Sequence, residues 1–250
     1  MITATMTAQD IWISTYRDGE RMRKKADVIA RKLTGEARKR RVNSVCKCVD
    51  YSHGSIEYKI FVRGKRDTSW DWNCYVYCSE SNEYVRMAYS VEAVMYISRL
   101  NTQALTPHFI RRISERLYHD SVFDTNRTLA RFERDAMVSK RQMLACLYRN
   151  ESTGDIVYSL LDGIALGHAD AAKGIITLKT FVAYDMLKDS QRRAFDACTG
   201  LQAELRKKYG DDEEIGRRMC TDDEFADAVD RELDAYKPIY AEFFKKNKSK

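Results

Sequence analysis

Residues 105–116, LTPHFIRRISER, carry the side chains whose types and spacing best suit chemistry on a phosphodiester. Thr106 is a favourable helix N-cap and Pro107 suits the first helical position, so the sequence predicts a helix that begins here. Unpaired backbone N–H groups and the helix dipole favour an anion near its first turn. Three polar residues share one face of this helix at four-residue spacing: His108, Arg112 and Arg116.

RNA cleavage without a metal needs a proton donor or acceptor beside the 2′-hydroxyl and the leaving oxygen, and cations around the phosphate. We predict that His108 is the general acid or base and that Arg112 and Arg116 hold the phosphate. His168, Lys179 and Thr180 are candidates to complete the site. Neighbouring strand residues point to opposite sides, so Lys179 and Thr180 remain alternatives to each other.

A purely structural role for the same helix face stays open. His108 could bond a neighbouring loop, while the arginines could pair with Glu115, with Asp120 or with acidic residues nearer the C-terminus. Residues 184–236 supply many such acids, with 15 acidic against 9 basic groups. Whether the arginines face a site or an acid decides between the two interpretations.

Residues 9–34 show the apolar spacing of a helix that ends at Gly35, and its other face is strongly basic. A basic face at this spacing could follow a phosphate backbone or could simply be solvated. Tryptophan and tyrosine residues on the strands that follow could stack on bases, although sheets also bury such rings. The predicted nucleic-acid contacts are Arg21, Lys24, Lys25, Lys32 and Trp72.

Four cysteines lie at strand spacing as two pairs: Cys46 with Cys48, and Cys74 with Cys78. Zinc ribbons prefer two residues between paired cysteines, so we favour core packing and predict no metal and no cofactor. A single ion held by the four thiols with His53 nearby remains the alternative. Glycine-rich phosphate loops and a Gly-x-Ser-x-Gly motif are absent from the sequence, which argues against nucleotide hydrolysis, Rossmann-type redox chemistry and a serine nucleophile.

The elements that must position these residues follow from periodicity. A period of two from Val42 to Tyr89 predicts a four-stranded antiparallel meander. Later segments predict a helix at 126–149, strands at 156–161, 164–168 and 175–182 with a hairpin turn at Asp162-Gly163, and helices at 184–209 and 222–246. Thr221 and Glu224 would form a capping box for the last helix.

We therefore expect an α+β fold, with antiparallel meanders packed against helices. Its core domain would span residues 1–183, and a helical extension would span 184–250. The chain has 250 residues and a net charge of +6, no apolar run long enough for a membrane span and no signal-peptide pattern, so a cytoplasmic protein without membrane contact is expected. Seven cysteines favour reduced thiols over a disulfide framework.

Helical segments followed by a short antiparallel meander ending in Leu178-Lys179-Thr180-Phe181-Val182 resemble RelE-type and barnase-type endoribonuclease toxins over residues 105–183. The resemblance implies a basic sheet face and adjoining helix that act through His, Arg, Lys, Thr or Tyr side chains without a metal. We therefore predict an RNA-binding protein with toxin-like endoribonuclease activity. The alternative is a non-enzymatic phage or mobile-element accessory protein that binds nucleic acid or a protein partner.

Overall fold

The chain divides into two compact units in a computed structural model that describes residues 2–88, 102–138, 145–149, 153–160, 162–210, 215, 218 and 222–234. Unit 1 comprises Met1–Asp135 and Gly167–Thr180, and unit 2 comprises Ala136–Leu166 and Phe181–Lys250. This division differs from the boundary at residue 183 expected from the sequence. The combination of helices with a mostly antiparallel sheet confirms the α+β class.

The described helices are α1 Ala8–Thr15, α2 Gly19–Arg40, α3 Pro107–Arg116, α4 Thr125–Val138, α5 Asp189–Tyr209 and α6 Asp223–Asp234. The described strands are β1 Ser44–His53, β2 Ile56–Lys65, β3 Trp70–Cys78, β4 Glu83–Ala88, β5 Thr102–Leu105, β6 Ala145–Arg149, β7 Asp155–Leu160, β8 Gly163–Asp170 and β9 Ile175–Ala183. None of the helices in the described part of the chain is long and apolar enough to cross a membrane.

The sheet of unit 1 has the strand order β1-β2-β3-β4-β5-β9-β8. Strands β1 to β4 form the predicted antiparallel meander, and β5 continues it beside β4. The pairing between β5 and β9 is parallel, with Leu105 opposite Leu178. This pair joins the N-terminal part of unit 1 to residues that follow much later in the chain.

Helix α2 covers one face of the meander because its apolar residues recur at helical spacing. Met22, Ala26, Ala30 and Leu33 are buried against alternating residues of β2 and β3 that include Ile60, Cys74 and Val76. The contact is closest at Gly64, where a methyl group on the Cα atom would lie 2.7 Å from the backbone nitrogen of Thr34 and 2.8 Å from the carbonyl oxygen of Ala30. Only a glycine lets the strand and helix backbones approach this closely.

Helix α4 covers the opposite face of the meander. Glu133 of α4 bonds to Asn73 and Tyr75, which alternate along β3 with the residues that face α2. Helices α3 and α4 also pack together, because the rings of Phe109 and Phe132 meet edge to face with centroids 6.2 Å apart. The meander in unit 1 is therefore covered by helices on both faces.

In unit 2 the strand order is β9-β8-β7-β6, to which β8 contributes residues 163–166 and β9 contributes residues 181–183. Strand β8 begins at Gly163, which the sequence analysis assigned to the turn at Asp162-Gly163. Helix α5 packs through Ala194 and Phe195 against Val157 and Ile164 of these strands. The rings of Tyr209 and Phe225 connect α5 to α6, with centroids 5.1 Å apart.

The predicted first helix is wrong in its bounds. It is divided into α1 and α2 by a 3₁₀ turn at Tyr16–Asp18, and α2 continues past Gly35 to Arg40. The helix continues because Ala37 is fully buried and keeps the apolar spacing of α2. It ends instead at Arg41, whose backbone is left-handed with φ 58°.

The predicted helix at 126–149 is also wrong in its second half. Helix α4 ends at Val138, and residues 145–149 form β6, which pairs with β7. Antiparallel pairing with the next strand of the chain overrides a helical pattern there. The helix predicted at 184–209 begins only at Asp189, after a 3₁₀ turn at Tyr184–Met186.

The last predicted helix is present as α6, which spans Asp223–Asp234. Asp222 accepts a hydrogen bond from the backbone N–H of Phe225 at 3.0 Å, as an N-cap residue does. Thr221, the predicted cap, and residues 235–246 lie outside the described residues.

Replacing two glycines with alanine tests where α2 ends and how closely it packs. Gly35→Ala should stabilise unit 1 by about 0.5–1 kcal/mol, because the position is helical and open. Gly64→Ala should destabilise it by about 1–3 kcal/mol, because the added methyl group displaces α2. Urea unfolding followed by circular dichroism measures both. A loss of stability in Gly35→Ala would contradict the continuous helix.

Candidate functional site

The N-terminus of α3 is fixed to strand β9. The Thr106 side chain caps the helix by accepting from the backbone N–H of Phe109 at 3.1 Å. The Thr106 N–H donates to the carbonyl oxygen of Leu178 at 3.1 Å, and its hydroxyl donates to the carbonyl oxygen of Lys179 at 3.2 Å. The predicted cap is confirmed, and the backbone of Lys179 lies beside it.

The predicted polar stripe on α3, which consists of His108, Arg112 and Arg116, is only partly available to a ligand. His108 is exposed, and the Nε of Arg112 lies 3.4 Å from its Nε2 atom. Arg112 also donates to Glu115 at 2.8 Å, which is one of the structural pairings expected as the alternative. Arg116 is half-buried. The stripe therefore offers a ligand one exposed imidazole, His108, beside an arginine that is already paired.

The remaining predicted catalytic residues lie on β8 and β9. Lys179 is exposed, while Thr180 and His168 are half-buried. Within the described residues, no hydrogen bond or ion pair joins any of these three side chains to His108. The backbone contact between Thr106 and Lys179 is the connection that the structure provides.

A cationic cavity of about 520 Å³ lies between β1 and α4. We call it the basic groove. Its lining is Arg40, Val42, Ser44, Val45, Cys46, Lys47, Cys48, Asp124, Asn126, Arg127, Ala130, Arg131 and Arg134. Five of these residues are cationic and one is acidic, so the groove has a strong preference for anions.

The arginines of α4 are oriented by carboxylates around the groove. Arg131 and Arg127 approach Asp120 at 2.9 and 3.5 Å, and Arg134 bonds to Asp135 at 2.7 Å. Their side chains remain 32, 50 and 45% exposed. Arg127 and Arg134 are half-exposed, so their contacts direct the guanidinium groups without preventing a phosphate from binding them, whereas Asp120, which is only 11% exposed, holds Arg131 more firmly.

A run of four basic residues, Arg38-Lys39-Arg40-Arg41, ends α2, and its third member lines the basic groove. All four are exposed. The negative end of the helix dipole favours cations at this position. The run was not among the predicted contacts, because the predicted helix stopped before it. A basic run is nevertheless a readable signal for a polyanion.

A second cavity, of about 500 Å³, opens at the ends of β1 to β4. We call it the tyrosine pocket. Its lining is Lys25, Asp50, Tyr51, Ser52, Glu57, Tyr58, Lys59, Tyr77 and Tyr84. Two cations balance two carboxylates there, so its charge differs sharply from that of the basic groove.

Asp50, Lys59 and Asn126 form a closed set of hydrogen bonds. Lys59 Nζ donates to Asp50 at 2.6 Å and to the amide oxygen of Asn126 at 2.8 Å. The amide nitrogen of Asn126 donates to the other Asp50 oxygen at 3.0 Å. The hydrogen bond from Lys59 lowers the pKa of Asp50, so this carboxylate is ionised at neutral pH.

The four predicted nucleic-acid contacts on α2 are exposed, and two of them have partners. Lys24 pairs with Glu20 at 3.0 Å, and Arg21 contacts the ring of His53. Lys25 lines the tyrosine pocket, and Lys32 is exposed.

The prediction that the Trp72 indole is available to bases is wrong. Its side chain is only 2% exposed and belongs to the core beneath α2. The alternation of β3 turns it toward that core, so the ring packs and does not stack on a base.

The four strand cysteines do not come together. Cys48 lies opposite Phe61 on the face covered by α4, whereas Cys74 lies opposite Ile60 on the face covered by α2. No group of three or more metal-ligating side chains occurs among the residues that the structure describes. Burial raises the pKa of Cys46 to about 11 and that of Cys48 to about 12, so both thiols stay protonated. The four-cysteine metal site is therefore wrong.

Glu133 of α4 is fully buried between the helix and the sheet and is the centre of a polar network. Its carboxylate accepts two bonds from Arg86, from Nε at 2.7 Å and from Nη2 at 3.0 Å. Asn73 donates at 3.0 Å, and the Tyr75 hydroxyl donates as well. No sequence pattern predicts this network, because Glu133 occupies what is otherwise an ordinary polar position of an amphipathic helix.

The network keeps Glu133 ionised inside the protein. Burial alone would raise the pKa of this carboxyl, but the Arg86 guanidinium and the hydrogen bonds outweigh burial and hold it below the ordinary value of 4.5. Burial and the Glu133 charge raise the pKa of Tyr75, which therefore remains a donor. Both oxygens of the Glu133 carboxylate accept hydrogen bonds from protein groups. The network therefore holds α4 in place and leaves Glu133 no free acceptor for catalysis.

Comparison of the chain with known proteins gives no family: no family model matches the sequence, and no curated protein or solved structure matches it either. The resemblance to endoribonuclease toxins thus stays a prediction from the sequence.

Removing the charge of Glu133 should destabilise unit 1 strongly. Glu133→Gln leaves the Arg86 guanidinium buried without a counter-charge, and we expect a loss of about 3–5 kcal/mol in the free energy of unfolding. The matched control is Glu115→Gln, which breaks an exposed pair and should cost less than about 1 kcal/mol.

The contribution of Glu133 to the free energy of unfolding should decrease at low pH. Because the folded-state pKa of Glu133 is lowered, its stabilisation is complete above the ordinary carboxyl value of 4.5 and is lost as pH falls through the folded pKa. Urea unfolding of the wild type between pH 7 and pH 3 should show this loss, and Glu133→Gln should lack that component. Equal stability of the variant and the wild type would exclude the buried ion pair as a determinant of the fold.

Proposed function

We propose that unit 1 binds single-stranded RNA, with successive phosphates lying along the basic groove. The observation that carries the proposal is the groove itself, a cavity between an edge strand and a helix with five cationic side chains in its lining. Backbone phosphates supply most of the affinity of such proteins for nucleic acids. A cavity of about 520 Å³ fits one strand better than a duplex.

The spacing of the cations supports an extended ligand. Arg127, Arg131 and Arg134 lie at positions i, i+4 and i+7 of α4, so they follow one face of the helix. They span about 10 Å along the helix axis, at 1.5 Å per residue. A row of this length can contact more than one phosphate of an extended strand.

The exposed run Arg38–Arg41 extends the cationic surface beyond the groove, since Arg40 belongs to both. Arg21, Lys24, Lys25 and Lys32 of α2 are proposed as outer contacts for a longer RNA. The interface would then combine oriented arginines in the groove with exposed basic residues of α2, which contact phosphates and do not read bases.

Neutralising two groove arginines should weaken RNA binding. We expect Arg127→Gln combined with Arg134→Gln to lower the affinity for a 12-nucleotide RNA about tenfold or more and to reduce the salt dependence of binding, because two phosphate contacts are lost. Fluorescence anisotropy at several salt concentrations measures both quantities, and a DNA of the same sequence tests the choice of RNA.

Two further variants complete this experiment. Arg193→Gln removes one exposed positive charge from α5 in unit 2 and should leave binding unchanged. Lys24→Gln combined with Lys32→Gln measures the contribution of the α2 face. If the groove variant binds RNA with the affinity and salt dependence of the wild type, the groove is not the interface.

A second candidate function is metal-independent cleavage of the bound RNA at the start of α3. The observation in its favour is that Thr106 ties this helix end to the backbone of Lys179, beside the exposed His108. His108 would act as general acid or base, with Arg112 and Arg116 on the phosphate and with Lys179, Thr180 or His168 completing the site. Such a protein would act in the cytoplasm as a toxin-like nuclease.

Cleavage is tested with purified protein, a mixed RNA and EDTA. We expect cutting to persist in EDTA and to fall at least a hundredfold in His108→Ala, because general acid–base catalysis contributes about 10²–10⁴-fold. His119→Ala, at another exposed histidine, is the control. Absence of cutting by the wild type, with RNA binding retained, would instead favour a non-enzymatic accessory protein of a phage or mobile element.

A further inference from the structure

We propose that the tyrosine pocket holds one base of the strand whose phosphates lie in the basic groove, and that it prefers a base with an exocyclic amino group. This inference rests on the proposed function and adds a specificity site to it. The two cavities differ in chemistry as a base differs from a phosphate: the pocket is aromatic and balanced in charge, and the groove is cationic.

The two cavities share a wall. Asn126 lines the basic groove, and its amide bonds directly to Lys59 and Asp50, which line the tyrosine pocket. Arg127 is the next residue of α4 and also lines the groove. A phosphate bound to Arg127 would therefore lie next to Asn126, and the base of the same nucleotide could enter the tyrosine pocket on the other side of that side chain.

The pocket offers aromatic surface in a fixed orientation. The rings of Tyr77 and Tyr84 have centroids 5.1 Å apart with an angle of 37° between their planes. The Tyr77 hydroxyl donates to Asn82 at 2.6 Å, and the Lys59 ammonium lies 5.5 Å from the centre of the Tyr84 ring. Stacking on aromatic side chains is the usual way in which proteins hold an unpaired base.

The volume of the pocket suits a base with part of its sugar. At about 500 Å³ it lies within the range of small-molecule sites, about 300–1,000 Å³. Lys25 and Lys59 balance Asp50 and Glu57, so the lining does not select for the charge of a phosphate. A neutral planar group is the part of a nucleotide that fits.

The polar groups of the pocket indicate which base it prefers. Asp50 is ionised and its side chain is 69% exposed, so it can accept further hydrogen bonds but cannot donate any. Glu57 is a second carboxylate in the lining. Cytosine, adenine and guanine carry amino groups that can donate to such acceptors, whereas uracil carries a carbonyl oxygen where cytosine has its amino group.

The test measures anisotropy of the full chain with 12-nucleotide oligocytidine and oligouridine. We expect the wild type to bind oligocytidine more tightly. Tyr84→Leu should weaken that binding about tenfold while leaving the salt dependence unchanged, because a stacking contact is lost and the phosphate contacts remain. Tyr16→Leu, which removes an exposed ring outside the pocket, should bind as the wild type does.

Asp50→Asn provides a second variant at an exposed side chain, which keeps the test independent of any folding defect in Tyr84→Leu. It should abolish the preference for cytidine over uridine. As a direct readout, irradiation of an RNA that carries 5-iodocytidine should cross-link it to Tyr77 or Tyr84, as mapped by mass spectrometry of peptides.

The outcomes separate this inference from the proposed function. Equal binding of the two RNAs by the wild type, or unchanged binding by both pocket variants, overturns the base pocket. If those results come with weaker binding by the variant lacking Arg127 and Arg134, RNA binding in the groove stands. If that groove variant binds normally, the proposed function fails, whatever the pocket variants do.

Discussion

The buried contact between Glu133 and Arg86 is the interaction on which the rest of unit 1 depends. It crosses from a helix to the fourth strand of the meander, and it includes two further donors from the third strand. An ionised carboxylate inside a protein is stable only when its partners are fixed, so one position of α4 on the sheet is strongly preferred. Hydrophobic contacts such as Phe109 with Phe132 join α3 to α4, and the ion pair fixes the register of α4 on the sheet.

That register places both cavities. From Glu133, the same helix carries its arginines toward the outer strand β1 and its first turn toward Lys59 and Asp50. The groove cations therefore do not need a loop to position them, because rigid elements hold them around an accessible surface. The side chain of Asn126 separates the cationic cavity from the aromatic one. Its amide oxygen accepts from Lys59, and its amide nitrogen donates to Asp50.

The sequence predicted the parts of the fold that depend on local pattern. The meander and the capped start of α3 follow from alternation and from Thr106-Pro107, and both are present. The sequence predicted less where tertiary packing and strand pairing decide. Gly35 is a poor stop signal because Ala37 buries the next turn, and residues 145–149 become a strand because β7 is available to pair with them. For the site, no local pattern connects Glu133 with Arg86 or β1 with α4, so the groove and the pocket could be recognised only from the structure.

The parallel pairing of β5 with β9 affects how unit 1 forms during synthesis. Residues 136–166 of the other unit leave the ribosome before β9, so β5 has no partner on that side while the first 135 residues emerge. An unpaired strand edge is a site of aggregation, and pairings between distant segments form slowly. In a nascent chain this edge of β5 therefore stays unpaired until β9 has been added. The last residues to join the sheet are also those that tie down the helix carrying His108.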